Sequence, residues 1–263
     1  RMTPDDEARL VRLLADLRRD RRQQSGLDPA LVPADEAAAY RIAARVAEEL
    51  GWTVGGWKIA AIKPEMQQAL RTDAPIYGRV FRQFVTDSPA TLPGPELLRP
   101  ISECEYMVRL AADLPPRTAP YSEEEVADAV ASVHPGIEAA ECRFAHDDRF
   151  PPLPAILADA SGSGTLILGP AIPDWRKADI PGQAIVLTVD GRERRRGTAA
   201  EALDHPLAPL TWLANELSRT GIGLHAGEVV STGTCTGMIL ARPGETHTAG
   251  YGPFGSVTVS YSA

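Results

Sequence analysis

Two glutamates separated by one residue form the strongest chemical candidate in this chain. Glu103 and Glu105 lie in the segment Ile101–Leu110, whose second half is apolar and predicts a strand. Alternate side chains of a strand point to the same face, so both carboxylates should project to one side and Cys104 to the other. Neighbouring carboxylates repel each other unless a cation lies between them, and Mg²⁺ or Mn²⁺ prefers such oxygen ligands. The pair therefore predicts a divalent metal site, with a solvated acidic strand face as the alternative.

A single lysine within an apolar strand is the second candidate. Lys58 lies between Trp57 and Ile59 in the predicted strand Gly55–Ala60. A lysine in this setting either extends its ammonium group to water or lies in a cleft beside an acidic partner. In the second case it could transfer protons, and we expect a nearby divalent cation to lower its pKa.

Other common catalytic arrangements are not supported by residue spacing. The five histidines have no His-x-x-His or His-Glu-x-x-His spacing, which argues against a zinc hydrolase. Cys235 lies in a loop of glycines and threonines without an obvious partner histidine, so packing is the preferred interpretation. Ser161 and Ser163 lie in the small-residue turn Leu157–Gly164 and lack a Gly-x-Ser-x-Gly motif. That turn could instead be a site loop in which backbone approaches a ligand.

Composition and charge are ordinary for a soluble globular enzyme or binding protein. The 263 residues can bury a sizeable core, and 44% of them are hydrophobic and 24% charged. The net charge of -8 argues against nucleic acid as the main partner, and the one basic run, Arg192–Arg196, follows a hairpin-turn signal and predicts a solvated hairpin arm. Three scattered cysteines, no membrane-spanning segment and no signal peptide at the start lead us to expect a cytoplasmic protein.

The elements that must position these residues are predicted to be helical at first and β-rich afterwards. Residues 1–52 form an N-terminal region with one helix after the capping sequence Thr3-Pro4 and another over Ala34–Leu50. Residues 53–263 carry short apolar runs broken by glycine and proline, and we expect them to form the catalytic domain, integrated with the helices. Further predicted elements are helices at Pro64–Leu70, Ser122–Ser132 and Leu207–Leu217 and strands at Ile76–Phe81, Gly136–Phe144, Thr165–Leu168, Ile185–Val189, Glu228–Ser231 and Ser256–Tyr261.

The order of short motifs resembles the fumarylacetoacetate hydrolase superfamily, and within it the branch of 2-oxopent-4-enoate (2-keto-4-pentenoate) hydratases and 4-oxalocrotonate decarboxylases. The resemblance runs from about Lys58 to the C terminus, and its specificity lies in the ordered set of motifs. The main matching pieces are Lys58-Ile59, Tyr77-Gly78, Glu103-Cys104-Glu105, Pro135-Gly136-Ile137-Glu138, Ala158-Asp159, His205-Pro206-Leu207, Trp212-Leu213-Ala214-Asn215, Gly227-Glu228-Val229-Val230, Thr232-Gly233, Pro243-Gly244-Glu245 and Gly255-Ser256-Val257.

The resemblance implies an α+β fold in which N-terminal helices precede a mixed, strongly bent β-roll. It also implies a homo-oligomeric lyase, a hydratase or a decarboxylase, for a small 2-oxo acid or its dienol, as in aromatic catabolism. Glu138 would then join Glu103 and Glu105 in holding Mg²⁺ or Mn²⁺, which requires their strands to lie close together. The other candidates are Lys58 and Asp159 as catalytic residues, with Asp159 or the bound 2-oxo acid as the anionic partner of Lys58, and Thr236, Lys63 and Ser161 for substrate binding.

Three positions depart from the hydratase pattern. Hydratases typically have Thr-Ser where this chain has Ile62-Lys63, often have aspartate in the place of Ile76, and have asparagine in the place of Ala160. The alternatives to a lyase are a carbon–carbon bond hydrolase of the same superfamily and a metal-binding homologue without turnover. A hydrolase must activate water, and no Ser/Thr/His–Asp/Glu relay lies near Lys58 in the sequence, which favours the lyase.

Overall fold

The computed structural model describes residues 2–263 as a pair of N-terminal helices followed by two β-sheets. The helices are α1 Pro4–Asp20, α2 Glu36–Leu50, α3 Pro64–Leu70, α4 Glu123–Asp128, α5 Leu153–Ala158 and α6 Leu207–Arg219. The strands are β1 Val54–Ala60, β2 Ile76–Phe81, β3 Val85–Asp87, β4 Ala90–Leu92, β5 Ile101–Leu110, β6 Val130–Ala140, β7 Thr165–Leu168, β8 Ile185–Val189, β9 Arg192–Gly197, β10 Val229–Ser231, β11 Met238–Leu240, β12 Thr246–Gly250 and β13 Ser256–Tyr261. No helix in the described part of the chain is long and apolar enough to cross a membrane.

The N-terminal helices begin at side-chain caps and pack against the β-rich part of the chain. The Thr3 hydroxyl accepts a hydrogen bond from the Asp6 backbone at 3.1 Å, and Asp35 caps α2 through the Ala38 N–H at 2.7 Å. The inner faces of α1 and α2 share one apolar cluster with Phe144. This shared core supports the interpretation of one integrated domain, and the boundary at residue 52 stays a prediction.

The two sheets confirm the predicted α+β fold with a mixed, bent β-roll. The larger sheet has the strand order β2-β1-β10-β5-β6-β7-β3, with β11 also paired to β5. Its β1–β10 and β3–β7 pairs are parallel, whereas the pairs around β5 are antiparallel. The smaller sheet has the order β4-β13-β12-β8-β9.

Alternation along β5 separates the core from the site. Cys104 and Tyr106 are buried in the main apolar cluster together with Val259 of the smaller sheet. Glu103 and Glu105 therefore point to the opposite face, as the period-two pattern predicts. The same strand thus contributes both to the packing between the sheets and to the candidate site.

Two predicted elements differ from the structure around β6. The helix predicted over Ser122–Ser132 ends at Asp128, and β6 begins at Val130. Residues 130–140 pair with β5 along its whole length, and this ladder outweighs the local helical signal. The predicted strand Gly136–Phe144 accordingly starts earlier and ends at Ala140, whereas the predicted basic hairpin arm is confirmed as β9 paired with β8.

Candidate metal centre

Three buried glutamates meet on one face of the larger sheet. Glu103 on β5 lies directly opposite Glu138 on β6, and Glu105 follows two residues later on the same face. One carboxylate oxygen from each residue lies within 4.8 Å of the other two. None of the three is more than 8% exposed. The predicted proximity of the two strands is therefore confirmed, and the arrangement could hold one ion between three oxygen ligands.

The hydrogen bonds that these carboxylates accept, and those that they lack, are consistent with a bound cation. Glu105 accepts hydrogen bonds from the Ser231 hydroxyl at 2.5 Å and the Gly233 N–H at 2.9 Å. Both carboxylate oxygens of Glu138 are buried and accept no hydrogen bond from any described residue. An ionised carboxylate in that condition is costly unless a positive charge lies beside it. The all-oxygen donor set matches the preference of Mg²⁺ and Mn²⁺.

Burial and mutual repulsion raise the pKa values of the three acids. Burial, followed by the charge of Glu138, raises the pKa of Glu103 to about 8. The same two causes, together with the charge of Glu103, raise the pKa of Glu105 well above its usual value. Burial also raises the pKa of Glu138. Such a group of destabilised carboxylates is typical of a functional site rather than of a solvated acidic surface.

Lys58 lies beside the three acids and faces Glu138. Its Nζ is 3.4 Å from Glu138 Oε1 and donates a hydrogen bond to the Ser161 carbonyl oxygen at 2.9 Å. Burial acts to lower the pKa of Lys58, but the charges of Glu138, Glu103 and Glu105 outweigh it, and the pKa is raised. The lysine therefore lies in a cleft, and a cation bound to the same acids would reduce this upward shift.

The acidic partner of Lys58 was predicted wrongly. The structure places Glu138 beside it, whereas the Asp159 carboxylate lies 3.0 Å from Arg143 Nε and 3.6 Å from Arg18 Nη2. Asp159 also accepts a hydrogen bond from the Arg143 backbone N–H at 2.8 Å. It does not line the pocket that contains Glu103 and Lys58. Another cavity, of about 470 Å³, borders the two arginines and none of the three acids. In this structure the Asp159 carboxylate pairs with Arg143 and Arg18, and its catalytic role stays a prediction.

The loop after Asp159 is held in an unusual backbone conformation. Ala160, Ser161 and Gly162 all have left-handed φ values, of 51°, 54° and 68°. The Ser161 hydroxyl donates a hydrogen bond to the Tyr77 carbonyl oxygen at 2.6 Å. A Cβ at Gly78 would lie 1.9 Å from the Ala160 carbonyl oxygen, so only glycine permits this approach. Such strained backbone is found where the surrounding structure fixes it, here to present the Ser161 carbonyl oxygen to Lys58.

We expect Asp159→Asn to destabilise the protein by about 3–5 kcal/mol, the usual cost of removing one partner from a buried ion pair. Asp159 is the carboxylate that contacts both buried guanidinium groups, and burial with the charge of Arg143 already lowers the pKa of Arg18 to about 9. Urea unfolding measures the effect. The exposed Asp16–Arg19 pair, at 3.4 Å, supplies the control Asp16→Asn, which should cost about 1 kcal/mol at most. A variant as stable as the parent but inactive would support a catalytic role for Asp159.

Of the three acids, Glu103 lines a pocket of about 340 Å³. Lys58, Glu103, Ser161 and Lys63 line it, and Lys63 is paired with Glu201 at the exposed rim. Lys63 and Ser161 are thus placed where substrate could reach them, and substrate binding by either stays a prediction.

Thr236 does not line this pocket, contrary to prediction. Its hydroxyl accepts the Cys104 N–H at 3.4 Å and donates to the Gly237 carbonyl oxygen. Thr234 lines the pocket instead, because the loop after β10 turns its hydroxyl toward Glu103. Both threonines lie in the Gly/Thr-rich loop identified in the sequence, and substrate binding by Thr236 stays a prediction.

The three departures from the hydratase pattern have different surroundings. Ile62 lines the pocket and packs against Gly233. Ile76 is buried in a small apolar cluster with Leu157, away from the pocket lining. Ala160 lies in the left-handed loop. Ile62 and the neighbouring Lys63, which also departs from the pattern, therefore alter the pocket wall directly, whereas Ile76 and Ala160 do not line it. Apolar residues at its mouth, among them Met66, were not predicted from the sequence.

Comparisons with known proteins agree with this architecture. The 2-keto-4-pentenoate hydratase of Paraburkholderia phymatum is 29% identical over 265 residues, which cover 98% of this chain and 99% of that protein. A protein of the same name from Burkholderia vietnamiensis is 30% identical over 213 residues, covering 81% and 79% of the two chains. Among solved structures, 4-oxalocrotonate decarboxylase from Pseudomonas putida G7, complexed with magnesium and adipate, has a TM-score of 0.89 at 22% identity and covers 99% of both chains.

A family match covers most of the chain. The family described as Fumarylacetoacetate (FAA) hydrolase C-terminal matches residues 60–260. The matched region begins at the last residue of β1 and ends one residue before the end of β13. The match contains the three glutamates and the loop that presents Ser161. This chain belongs to the fumarylacetoacetate hydrolase family.

Proposed function

We propose that this protein is a divalent-metal-dependent lyase that hydrates or decarboxylates a small 2-oxo acid or its dienol, with Mg²⁺ or Mn²⁺ as cofactor. The observation that carries the proposal is the condition of Glu138: both oxygens are buried without a hydrogen-bond donor, between two further carboxylates and a lysine. Lys58 offsets one of the three negative charges, and a divalent cation would offset the other two, which would otherwise be destabilising in a buried site.

Glu103, Glu105 and Glu138 would hold the cation from one side, which leaves its other positions for substrate and water. When bound, a divalent cation supplies Lewis-acid stabilisation of the negative charge that develops on the 2-oxo oxygen as a proton leaves C3 or as CO₂ leaves the chain. Ser231 and the Gly233 N–H orient Glu105 through their hydrogen bonds, and such supporting contacts tune metal sites.

Lys58 is the residue we assign to proton transfer. Its ammonium group lines the pocket next to Glu138, and the Ser161 carbonyl oxygen fixes its direction. An ammonium group held in this way can deliver a proton to the substrate carbon, and the neutral amine left by that step can accept one in return without rearrangement. Ile62 adds an apolar side chain to the wall of the same pocket.

The relatives support the reaction class. Two similar proteins are named 2-keto-4-pentenoate hydratase, and the solved decarboxylase holds magnesium and adipate. At these identities the substrate and the choice between hydration and decarboxylation remain part of the proposal. Homo-oligomerisation and a cytoplasmic location stay predictions from the sequence.

A panel of 2-oxo acids tests the proposal. The protein is loaded with Mg²⁺ or Mn²⁺ and mixed with 2-oxopent-4-enoate-type dienols and with 4-oxalocrotonate-type diacids. Hydration is followed by loss of the dienol ultraviolet absorbance, and decarboxylation by release of CO₂. We expect turnover of at least one class with metal and none in EDTA. Tight metal binding without turnover of any member would favour the non-catalytic homologue, and cleavage of a β-diketo acid into two acids would favour the hydrolase.

A further inference from the structure

Exposed apolar side chains are concentrated at the mouth of the metal pocket. Four large apolar side chains are exposed in the described part of the chain: Met66 at 42%, Phe150 at 38%, Leu203 at 48% and Met238 at 47%. All except Leu203 line the pocket that contains Glu103. Single exposed apolar residues need no explanation, but several around one opening indicate a binding surface.

The three apolar residues come from different parts of the chain and meet around the pocket that Glu103 lines. Met66 lies on α3, Phe150 precedes α5, and Met238 begins β11. Met238 is directly opposite Glu103 in the β11–β5 register, so its side chain stands beside the candidate ligand on the same face of the sheet. Ile62 extends the apolar wall. A ligand that is bound at the metal centre and extends out through this mouth therefore lies along an apolar surface.

The charged groups of the mouth favour an uncharged ligand tail. The Lys63 ammonium is already paired with Glu201, which offsets its charge. Arg99 lines the pocket without an ion pair to any of residues 2–263, but it is exposed. An exposed ion pair contributes about fivefold in affinity at most, whereas each methylene buried on apolar surface contributes about fourfold. Burying a tail of two or more methylenes against the methionines thus increases the affinity more than pairing a carboxylate with Arg99 does.

The pocket also has more room than the reacting part of the substrate needs. Its volume of about 340 Å³ falls in the range of about 300–1,000 Å³ that holds drug-sized ligands, which are much larger than a five-carbon 2-oxo acid. We propose that the substrate is a 2-oxo acid whose chain continues beyond the reacting carbons as an uncharged apolar tail, selected by Met66, Phe150 and Met238. This inference rests on the proposed function, because the metal centre must hold the 2-oxo acid end.

Binding of saturated 2-oxo acids tests the inference separately from turnover. These acids can bind a metal centre but carry no double bond to hydrate. Isothermal titration of the Mg²⁺-loaded protein with 2-oxobutanoate, 2-oxohexanoate and 2-oxooctanoate should show Kd falling about two- to fourfold per methylene. 2-Oxoadipate, which ends in a carboxylate, should bind more weakly than 2-oxohexanoate. Failure of every acid to bind would overturn the proposed function and the inference together, whereas equal binding along the series would overturn the inference alone.

Variants identify the residues responsible for the dependence of Kd on chain length. Met66→Ser and Met238→Ser should reduce the dependence of Kd on chain length, with the loss growing from the four-carbon to the eight-carbon acid. Leu203→Ser is the matched control, because Leu203 is equally exposed but does not line the pocket, and it should leave the series unchanged. Tighter binding of 2-oxoadipate than of 2-oxohexanoate would overturn the inference in favour of a diacid held by Arg99. Variants that change the oligomeric state but not the dependence of Kd on chain length would overturn the inference and show that the apolar residues at the pocket mouth form a subunit interface.

Discussion

Replacing Glu138 with glutamine is expected to weaken Mn²⁺ binding by about 100-fold or more and to remove turnover. The substitution keeps the size of the side chain but removes the charge of a buried carboxylate whose oxygens have no other donor. Changes to groups that merely support metal ligands cost about 10–100-fold in affinity, so loss of a charged ligand should reach at least the upper end. Isothermal titration with Mn²⁺ measures the affinity, and the 2-oxo acid panel measures turnover.

The same experiment has internal controls. Glu103→Gln and Glu105→Gln should behave like Glu138→Gln, because one carboxylate oxygen from each of the three residues lies within 4.8 Å of the other two. Glu141→Gln should leave Mn²⁺ affinity unchanged, since the Glu141 carboxylate accepts the Leu98 N–H at 2.8 Å outside the triad. Added metal should raise the melting temperature of the parent and not of the triad variants, because binding favours the folded state. Unchanged Mn²⁺ affinity in all three triad variants would refute the site.

The sequence was sufficient for those features that depend on local periodicity or on the ordered motifs. The alternation of β5 correctly separates Glu103 and Glu105 from Cys104, because side chains of a strand alternate with period two. The position of Glu138 required the family resemblance, since its opposition to Glu103 arises from a strand pairing across 35 positions of the chain that no local pattern specifies.

The errors concern contacts that only the three-dimensional arrangement decides. Lys58 on β1 reaches Glu138 on β6 although β10 and β5 lie between the two strands in the sheet. This strand order does not follow the order of the strands in the chain. Asp159 precedes Ser161 by two residues, yet the left-handed loop presents the Ser161 carbonyl oxygen to Lys58 while Asp159 pairs with Arg143. A single turn of backbone therefore separates Ser161, which lines the pocket, from Asp159, which does not.

Lys58→Met is expected to lower turnover by about two to four orders of magnitude, the usual contribution of a general acid–base group. Methionine preserves the length and apolar stem of the side chain but removes both its charge and its transferable proton. The ammonium group of Lys58 lies 3.4 Å from Glu138 and so competes with a cation for the same carboxylate. The variant should therefore bind Mn²⁺ at least as tightly as the parent, a direction opposite to that of the Glu138 variant.

Retained metal affinity together with lost turnover would distinguish a role of Lys58 in proton transfer from a purely structural role in β1. If Lys58 only supported β1, Lys58→Met would lower the free energy of unfolding while turnover of the folded, metal-loaded fraction stayed within a few-fold of the parent. Lys63→Met is the matched comparison, because Lys63 lines the same pocket but is exposed and paired with Glu201. We expect it to change turnover by about tenfold at most, as befits a solvent-screened charge. A large loss in Lys63→Met beside a small one in Lys58→Met would transfer the proton-moving role to Lys63, since the two lysines are the ammonium groups that line the described pocket.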